Sequence, residues 1–405
     1  MKNRFSIVAI LLASIIFSCS KDQGTTITTT PSPQPSVITP QNVRDYMVDH
    51  NATPATTALF YQLVNQSSAK NLVGQHEAFN SFYANQTGLS DLKKTTGKDP
   101  AVLGLDFMFI TDKNNTGQAD NWYYQQELKS IADAKEAFQK GMLVTYSWHL
   151  REPYLEEQFY TNTMTDQQKA TAFKSLLPNG IHHNWFKAKL DKLASVFQTL
   201  EVNGTPIPVV FRPFHEMDGS WFWWGQNYAT AEEYKTVFRF IVTYLRDVKN
   251  IHNVLYAFAP DASYTQANDY LTRYPGDDYV DLLGMDNYAD FAVQQGQQGA
   301  VRANEKLIML SNLAQQKNKI AALTETGYQV SATSSPISNW FSTYLYYALN
   351  ESSPKIAYVM FWNNTQNAYY IPTPASGNTA DFLQFTTKAR CILQPQLPQL
   401  YTLPN

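Results

Sequence analysis

Eight short apolar runs punctuate the chain: Leu72–His76, Ala101–Phe109, Met142–Trp148, Ile207–Phe211, Asn253–Phe258, Val280–Met285, Ile320–Thr324 and Ala357–Phe361. Most are apolar at successive positions rather than at alternate ones. That is the pattern of strands covered on both faces, as a parallel sheet beneath helices requires. Helical stretches lie between them: Asn121–Gln139, Trp185–Leu200, Ala231–Val248, Arg302–Gln316 and Asn339–Leu349, with a last one near Asp381–Cys391. An earlier helix is suggested by Ala58, Leu59, Tyr61, Leu63 and Val64. Strand and helix alternating eight times predict an α/β fold, a single (β/α)8 TIM barrel with long βα loops. No internal repeat is visible, which excludes a solenoid.

The first stretch does not belong to that pattern. Lys2 and Arg4 precede the apolar run Phe5–Phe17, which is too short to span a bilayer. Ser18-Cys19 follows and resembles a bacterial lipoprotein signal, in which Cys19 becomes the lipidated N-terminus; Phe17 departs from the small residue usual at its place. Ser20-Lys21-Asp22-Gln23 resembles the export signal of Bacteroides-type surface lipoproteins. The Thr, Pro, Ser and Gln of residues 24–40 cannot bury enough surface to fold. The expected organisation is a signal peptide over 1–18, a disordered tether over 19–40 and a catalytic domain over 41–405. The expected location is the outer membrane, held by lipid only and exposed at the cell surface, with a periplasm-facing form as the alternative.

Composition narrows the partners. A net charge of −3 leaves no basic footprint for nucleic acid. Aromatic residues reach 14%, enough for a flat-ligand surface as well as a core. With Cys19 in the leader, Cys391 has no partner for a disulfide within the folded part. No cofactor is expected, and the chain is expected to be monomeric.

Candidate chemistry sits where the runs end. They close in Gln75-His76-Glu77, Asp106, Trp148-His149, His215-Glu216, Pro260-Asp261, Asp286-Asn287-Tyr288, Thr324-Glu325 and Trp362-Asn363-Asn364. In such a barrel those ends converge on one mouth. The fourth run is the richest: Arg212, His215 and Glu216 are followed by the turn Asp218-Gly219 and by Trp221, Phe222, Trp223 and Trp224. Aromatic faces stack on pyranose rings, and a buried carboxyl can stay protonated to serve as an acid. Glu216 and Glu325 end strands four and seven, which face each other across the mouth, as the paired carboxyls of a retaining glycosidase would.

Arg212-Pro213-Phe214-His215-Glu216-Met217, with Trp221 beyond, resembles the acid/base segment of glycoside hydrolase family 26. Thr324-Glu325 is similar to that family's nucleophile segment, and Trp148-His149, Gly284–Tyr288 and Phe361-Trp362-Asn363 match its other mouth segments. The resemblance implies Glu216 as acid/base and Glu325 as nucleophile. It places His149 and Trp362 at the sugar before the cleaved bond, His215 either at that sugar or orienting one carboxyl, Tyr288 as a donor to Glu325, and Trp221 under the leaving-group sugar. Arg212 and Asp106 are supporting candidates, for which a plain ion pair is an equal reading, and His76 is a weaker one. His182, His183 and Trp185 read as loop residues, His50 and His252 as surface. The implied reaction is retaining endo-cleavage of β-1,4-mannan, galactomannan or glucomannan. Release of mannobiose from chain ends, and action on mixed-linkage β-glucan or β-1,3-xylan, remain open alternatives.

Two loops bear on that choice. Arg151–His183 carries Tyr154, Phe159 and Tyr160, and Ala289–Ala300 is rich in Gln and Gly and expected to be mobile. Neither has an evident rigid anchor, which favours an open cleft. Two rival classes are weaker. His76, His149 and His215 lack close metal-ligand spacing, and a non-catalytic glycan-binding lipoprotein has no need of both carboxylates.

Overall fold

The computed structural model describes residues 37–85, 89–330 and 337–404. Cys19 and the leader lie outside them. Eight strands run parallel: β1 (Asn71–His76), β2 (Val102–Asp106), β3 (Leu143–Trp148), β4 (Val209–Pro213), β5 (Val254–Phe258), β6 (Leu282–Asn287), β7 (Ile320–Thr326) and β8 (Tyr358–Phe361). Each pairs with the next, and β8 pairs back onto β1 through Leu72–Gln75 against Tyr358–Phe361. The sheet is therefore closed, the (β/α)8 barrel expected from the alternation of runs. Almost every strand residue is buried, which is why the runs lack a period of two.

The helices pack their apolar stripe on this wall. Ala231–Thr243 buries Tyr234, Val237, Phe238, Ile241 and Val242, spaced three and four apart along one face. It starts at a capping box of Thr230 and Glu233, which satisfies two free N–H groups at once. Asn121 caps Trp122–Gln139 in a similar way by accepting from Tyr124 N–H.

The first described residues close the barrel floor. Ile38, Val43, Met47, Leu59, Phe60 and Leu63 pack against Leu72, Val102, Leu143, Val210, Leu255, Leu282 and Ile320, all at strand beginnings. Asp281 ties this plug down by accepting from Val48 N–H (2.8 Å) and Tyr256 N–H (3.0 Å). Ile38 is already buried, so packing begins a few residues before the change in composition at Gln41.

Several boundaries differ from the expectation; the fourth and sixth strands, for example, each lie two residues later than expected. β2 stops at Asp106, because its carboxylate accepts from Met108 N–H (2.7 Å) and turns the chain. The last helix is Thr379–Thr386, and Cys391 instead joins a short strand on the outer edge of β1. The helix after β6 begins at Gly296, which absorbs much of the expected loop. Asp290 anchors the remainder through Asn287 (3.0 Å), Arg302 (3.1 Å) and Lys306 (2.8 Å). The loop after β3 is also anchored. Arg151 pairs with Asp112 at 2.5 Å, the Glu152 carboxylate accepts from Tyr154, Leu155 and Glu157 N–H, and Tyr160 bridges to Phe222. Ion pairs and backbone contacts supply the rigidity that the absence of a disulfide was taken to deny.

Candidate active site

β4 ends in two left-handed residues, Phe214 (φ 49°) and Glu216 (φ 52°). Such a conformation costs a non-glycine residue about 1–2 kcal/mol, so the surroundings must hold it. Glu216 N–H donates to Ala259 O (2.8 Å), and Trp224 Nε1–H donates to His215 O (2.7 Å). Trp223 Nε1–H reaches Leu150 O at 2.8 Å. Trp223 and Trp224 are fully buried and Phe222 nearly so, whereas Trp221 is 39% exposed. Of the four aromatics read from the sequence as a sugar surface, three are the clamp that fixes the turn. Trp221 lies over Gly219, where an added Cβ would sit 2.3 Å from the indole ring. Its Nε1–H donates to Glu216 Oε2 at 2.6 Å.

Burial raises the Glu216 carboxyl well above the usual range, and the nearby Asp286, Glu325 and Asp261 carboxylates push it the same way. That setting favours the protonated form of Glu216. Glu325, at the end of β7, lies between two donors. Arg212 Nη2–H donates to its Oε1, and Tyr288 OH donates to its Oε2 at 3.0 Å. Burial and the Glu325, Glu216 and Asp286 charges keep the Tyr288 phenol protonated, so it remains a donor. Burial works against the Arg212 charge, but Asp286 and Glu325 more than offset it and hold the guanidinium cationic.

Asp286 is the residue whose role the sequence reading missed. It was noted only as a strand-end residue. Fully buried, it receives Arg212 Nη1–H at 2.5 Å and Thr324 Oγ1–H at 2.6 Å. Asp286 thereby sets the position of the arginine that grips Glu325. The signal was present, since β6 and β7 are neighbours and both end in acids.

The histidines and Trp362 line one side of the mouth. His215 Nε2 is 3.9 Å from Glu325 Oε1, and burial, with Arg212, His149 and His76 nearby, drives its pKa well below normal, so the ring is neutral. His149 Nδ1 meets Asp106 Oδ2 at 2.5 Å, and Ser147 Oγ–H donates to the same oxygen at 2.7 Å. Burial opposes the Asp106 charge, but His149, His76 and the Ser147 hydroxyl together outweigh it and hold the carboxyl below its usual range. His76 stacks on Trp362 with ring centres 4.4 Å apart and planes 14° off parallel. Gly104 makes room for it, because a Cβ there would lie 2.8 Å from His76 Nδ1. Burial lowers the His76 pKa to about 4. His149 lies edge-on to both His215 (4.6 Å) and Trp362 (5.7 Å). All ten candidates at strand ends and in the β4 turn thus meet at one mouth. His182 and His183 instead brace the loop after β3, at Ser175 Oγ (2.9 Å) and Leu176 O (2.8 Å).

His215, Asp286 and Glu325 bring ligand-type atoms within 4.8 Å of one another. The cation they enclose is the Arg212 guanidinium, bonded to both carboxylates. His76, His149 and His215 do not form a metal-binding set among the described residues.

The model of glycosyl hydrolase family 26 matches residues 48–370. A mannan endo-1,4-β-mannosidase of Bifidobacterium adolescentis is 36% identical over 354 residues, 83% of this chain and 34% of that protein. The chain thus spans about a third of that relative's length. A mannan endo-1,4-β-mannosidase of Bacillus subtilis is 28% identical over 292 residues, 68% of this chain and 70% of the relative. Among solved structures, GH26C from Muricauda sp. superposes with a TM-score of 0.89 at 46% identity, covering 91% of this chain and 99% of that one. A modular endo-β-1,4-mannanase from Cellulomonas fimi gives 0.79 at 30% identity, covering 88% and 79%. With a matching family model over most of its length, a closed eight-stranded barrel and two buried glutamates at its mouth, the chain belongs to glycoside hydrolase family 26.

Proposed function

We propose that this chain is a retaining endo-1,4-β-mannanase, with Glu216 as acid/base and Glu325 as nucleophile. One observation carries the reading: two buried glutamates share the mouth, Glu216 in a setting that favours its protonated form and Glu325 between the donors Arg212 and Tyr288. In the first step Glu325 attacks the anomeric carbon, the glycosidic C–O bond breaks, and Glu216 gives its proton to the departing oxygen. In the second, Glu216 takes a proton from water, whose oxygen displaces Glu325 from the sugar. Arg212 and Tyr288 hold Glu325 for attack, and Asp286 holds Arg212. His149, His215, Trp362 and His76 line the subsite of the attacked sugar, with Asp106 fixing the His149 ring. Trp221 stacks on the leaving-group sugar. The mannan assignment draws on the names of the relatives.

Endo action is supported by a cleft that continues past the reacting sugar. A pocket of about 370 Å³ runs from His76 and Trp362 to Phe109. Phe109 then packs edge-on against Trp122 at 4.9 Å, and Trp122 is 51% exposed. Endo action predicts a fast fall in mannan viscosity with few new reducing ends, and little turnover of mixed-linkage glucan or β-1,3-xylan. Mannobiose as the sole early product would establish chain-end attack instead. Glu216→Ala is expected to lose about 10²–10⁴-fold on polysaccharide. It should spare the first step on aryl mannosides, whose leaving groups need little protonation. The alkaline limb of kcat/KM should vanish with it, because that limb reports loss of the acid's proton. Equal losses on both substrates would remove Glu216 from the acid role.

The anchor is part of the same proposal. With lipid on Cys19, the tether would join the floor of the barrel, since Ile38 and Val43 pack under the strand beginnings. Cys19→Ala should move the protein from the membrane fraction to the soluble one. Unchanged fractionation would refute the anchor.

A further inference from the structure

The helix Trp122–Gln139 covers the barrel thinly. It buries Glu127, Ala134 and Ala137, whereas Ala231–Thr243 buries five apolar side chains. Small and polar residues leave space against the wall, and the cleft runs into it, reaching the helix at Gln126, Lys129, Ser130 and Asp133. Counted from Trp122, these stand four, seven, eight and eleven residues on. At 3.6 residues per turn all five share one face. Trp122 is therefore the same lining carried about 6 Å further along the axis. β2 ends at the mouth and β3 starts at the floor, so the helix between them begins at the rim.

This face suits a neutral sugar. Lys129 and Asp133 pair with each other, and Ser130 Oγ shares a hydrogen bond with Tyr146 OH (2.9 Å), so the face carries no unpaired charge. The half-buried Gln126 amide has no hydrogen-bond partner among the described residues. It can donate to one hydroxyl and accept from another. A single exposed apolar side chain is ordinary on a protein surface, but Trp122 is held in place. Phe109 and Tyr123 meet it edge-on, with ring planes 76° and 88° apart, while 51% of it stays exposed. Phe109 itself lines the cleft, together with His76, His149 and Trp362. The apolar C–H face of a pyranose fits against the negative face of an indole, and the amide one turn away meets its hydroxyls.

We propose that Trp122 and Gln126 form an outlying subsite, which binds a sugar of the polymer beyond those held in the cleft, on the side of the attacked sugar. The site deepens the endo-mannanase reading and rests on it for the identity of the polymer. It gives long chains a grip that short ones cannot reach, which makes Trp122 a residue that selects for chain length.

The test is a length series. kcat/KM is measured on an aryl mannobioside, on linear β-1,4-mannooligosaccharides of increasing length and on mannan, for wild type, Trp122→Ala, Trp122→Phe and Gln126→Ala. Wild type should gain rate once the chain is long enough to reach the rim. Trp122→Ala should match wild type on the aryl substrate and lose about threefold to tenfold on mannan, the worth of one aromatic contact. The loss should lie in KM, with kcat kept. Trp122→Phe should recover part of it by restoring a stacking face. Gln126→Ala should lose about threefold over the same lengths, the worth of one hydrogen bond. Equal losses at every length, or none at any, would overturn the proposal and leave the mannanase assignment standing. Wild-type protein that does not cut mannan would count against that assignment instead, and the same series on mixed-linkage glucan would then decide the role of Trp122.

Discussion

Glu325→Ala should lower turnover on mannan by on the order of 10⁴-fold or more, the scale seen when a nucleophile is removed from an intact site. Sugar binding, measured by calorimetry, should change little, because a nucleophile contributes chiefly in the transition state. The alanine leaves Arg212 with Asp286 as its remaining acid and Tyr288 without its acceptor. Part of the loss could then come from a rearranged site, which Glu325→Gln checks. The amide keeps the shape, its oxygen accepting from Arg212 and its NH2 donating to the Tyr288 oxygen, yet it is a poor nucleophile. Both variants should therefore be inactive while the glutamine form melts close to wild type. Substantial turnover in the glutamine variant would assign the nucleophile elsewhere. In wild-type protein the first-formed product should keep the β configuration, visible in its anomeric proton signals before mutarotation.

The barrel was legible because its strands are buried on both faces, so runs such as Leu143–Trp148 stand out without alternation. The pair of glutamates at the mouth was legible for a related reason. A strand of a (β/α)8 barrel points its C-terminal end at the mouth, so Glu216 and Glu325 could be placed from their positions alone. What escaped was direction and partner. Nothing in Trp221-Phe222-Trp223-Trp224 tells which ring faces a sugar. The two left-handed residues decide it by turning Trp223 and Trp224 inward. Asp286 escaped because its importance is a contact with Arg212 across 74 residues of chain. The rigidity of the loop after β3 escaped for the same reason, since Arg151 and Asp112 pair only once the barrel has formed.

Arg212→Met should damage both stability and activity, and the two effects should depend on pH in a linked way. The guanidinium is 6% exposed and lies between Asp286 and Glu325. Removing one member of a buried ion pair costs about 3–5 kcal/mol, because the remaining charge is left without compensation. Here two carboxylates are left. They can escape by binding a proton, so the folded variant should hold protons more tightly than the unfolded chain does. For an acid whose folded pKa is raised, stability falls as pH rises through the interval between the unfolded and folded values. The deficit relative to wild type should therefore be small in acid and grow toward neutrality. Catalysis needs Glu325 ionised, so the acidic limb of kcat/KM should move to higher pH in the variant. Arg212→Lys separates charge from geometry. An ammonium restores a positive charge but not the planar fork that reaches two carboxylates at once. It should recover much of the stability and less of the activity. Thermal melts and rate profiles over a common pH series measure both. A melting deficit independent of pH, with an unmoved acidic limb, would show that Arg212 packs the mouth without governing the charge of its acids.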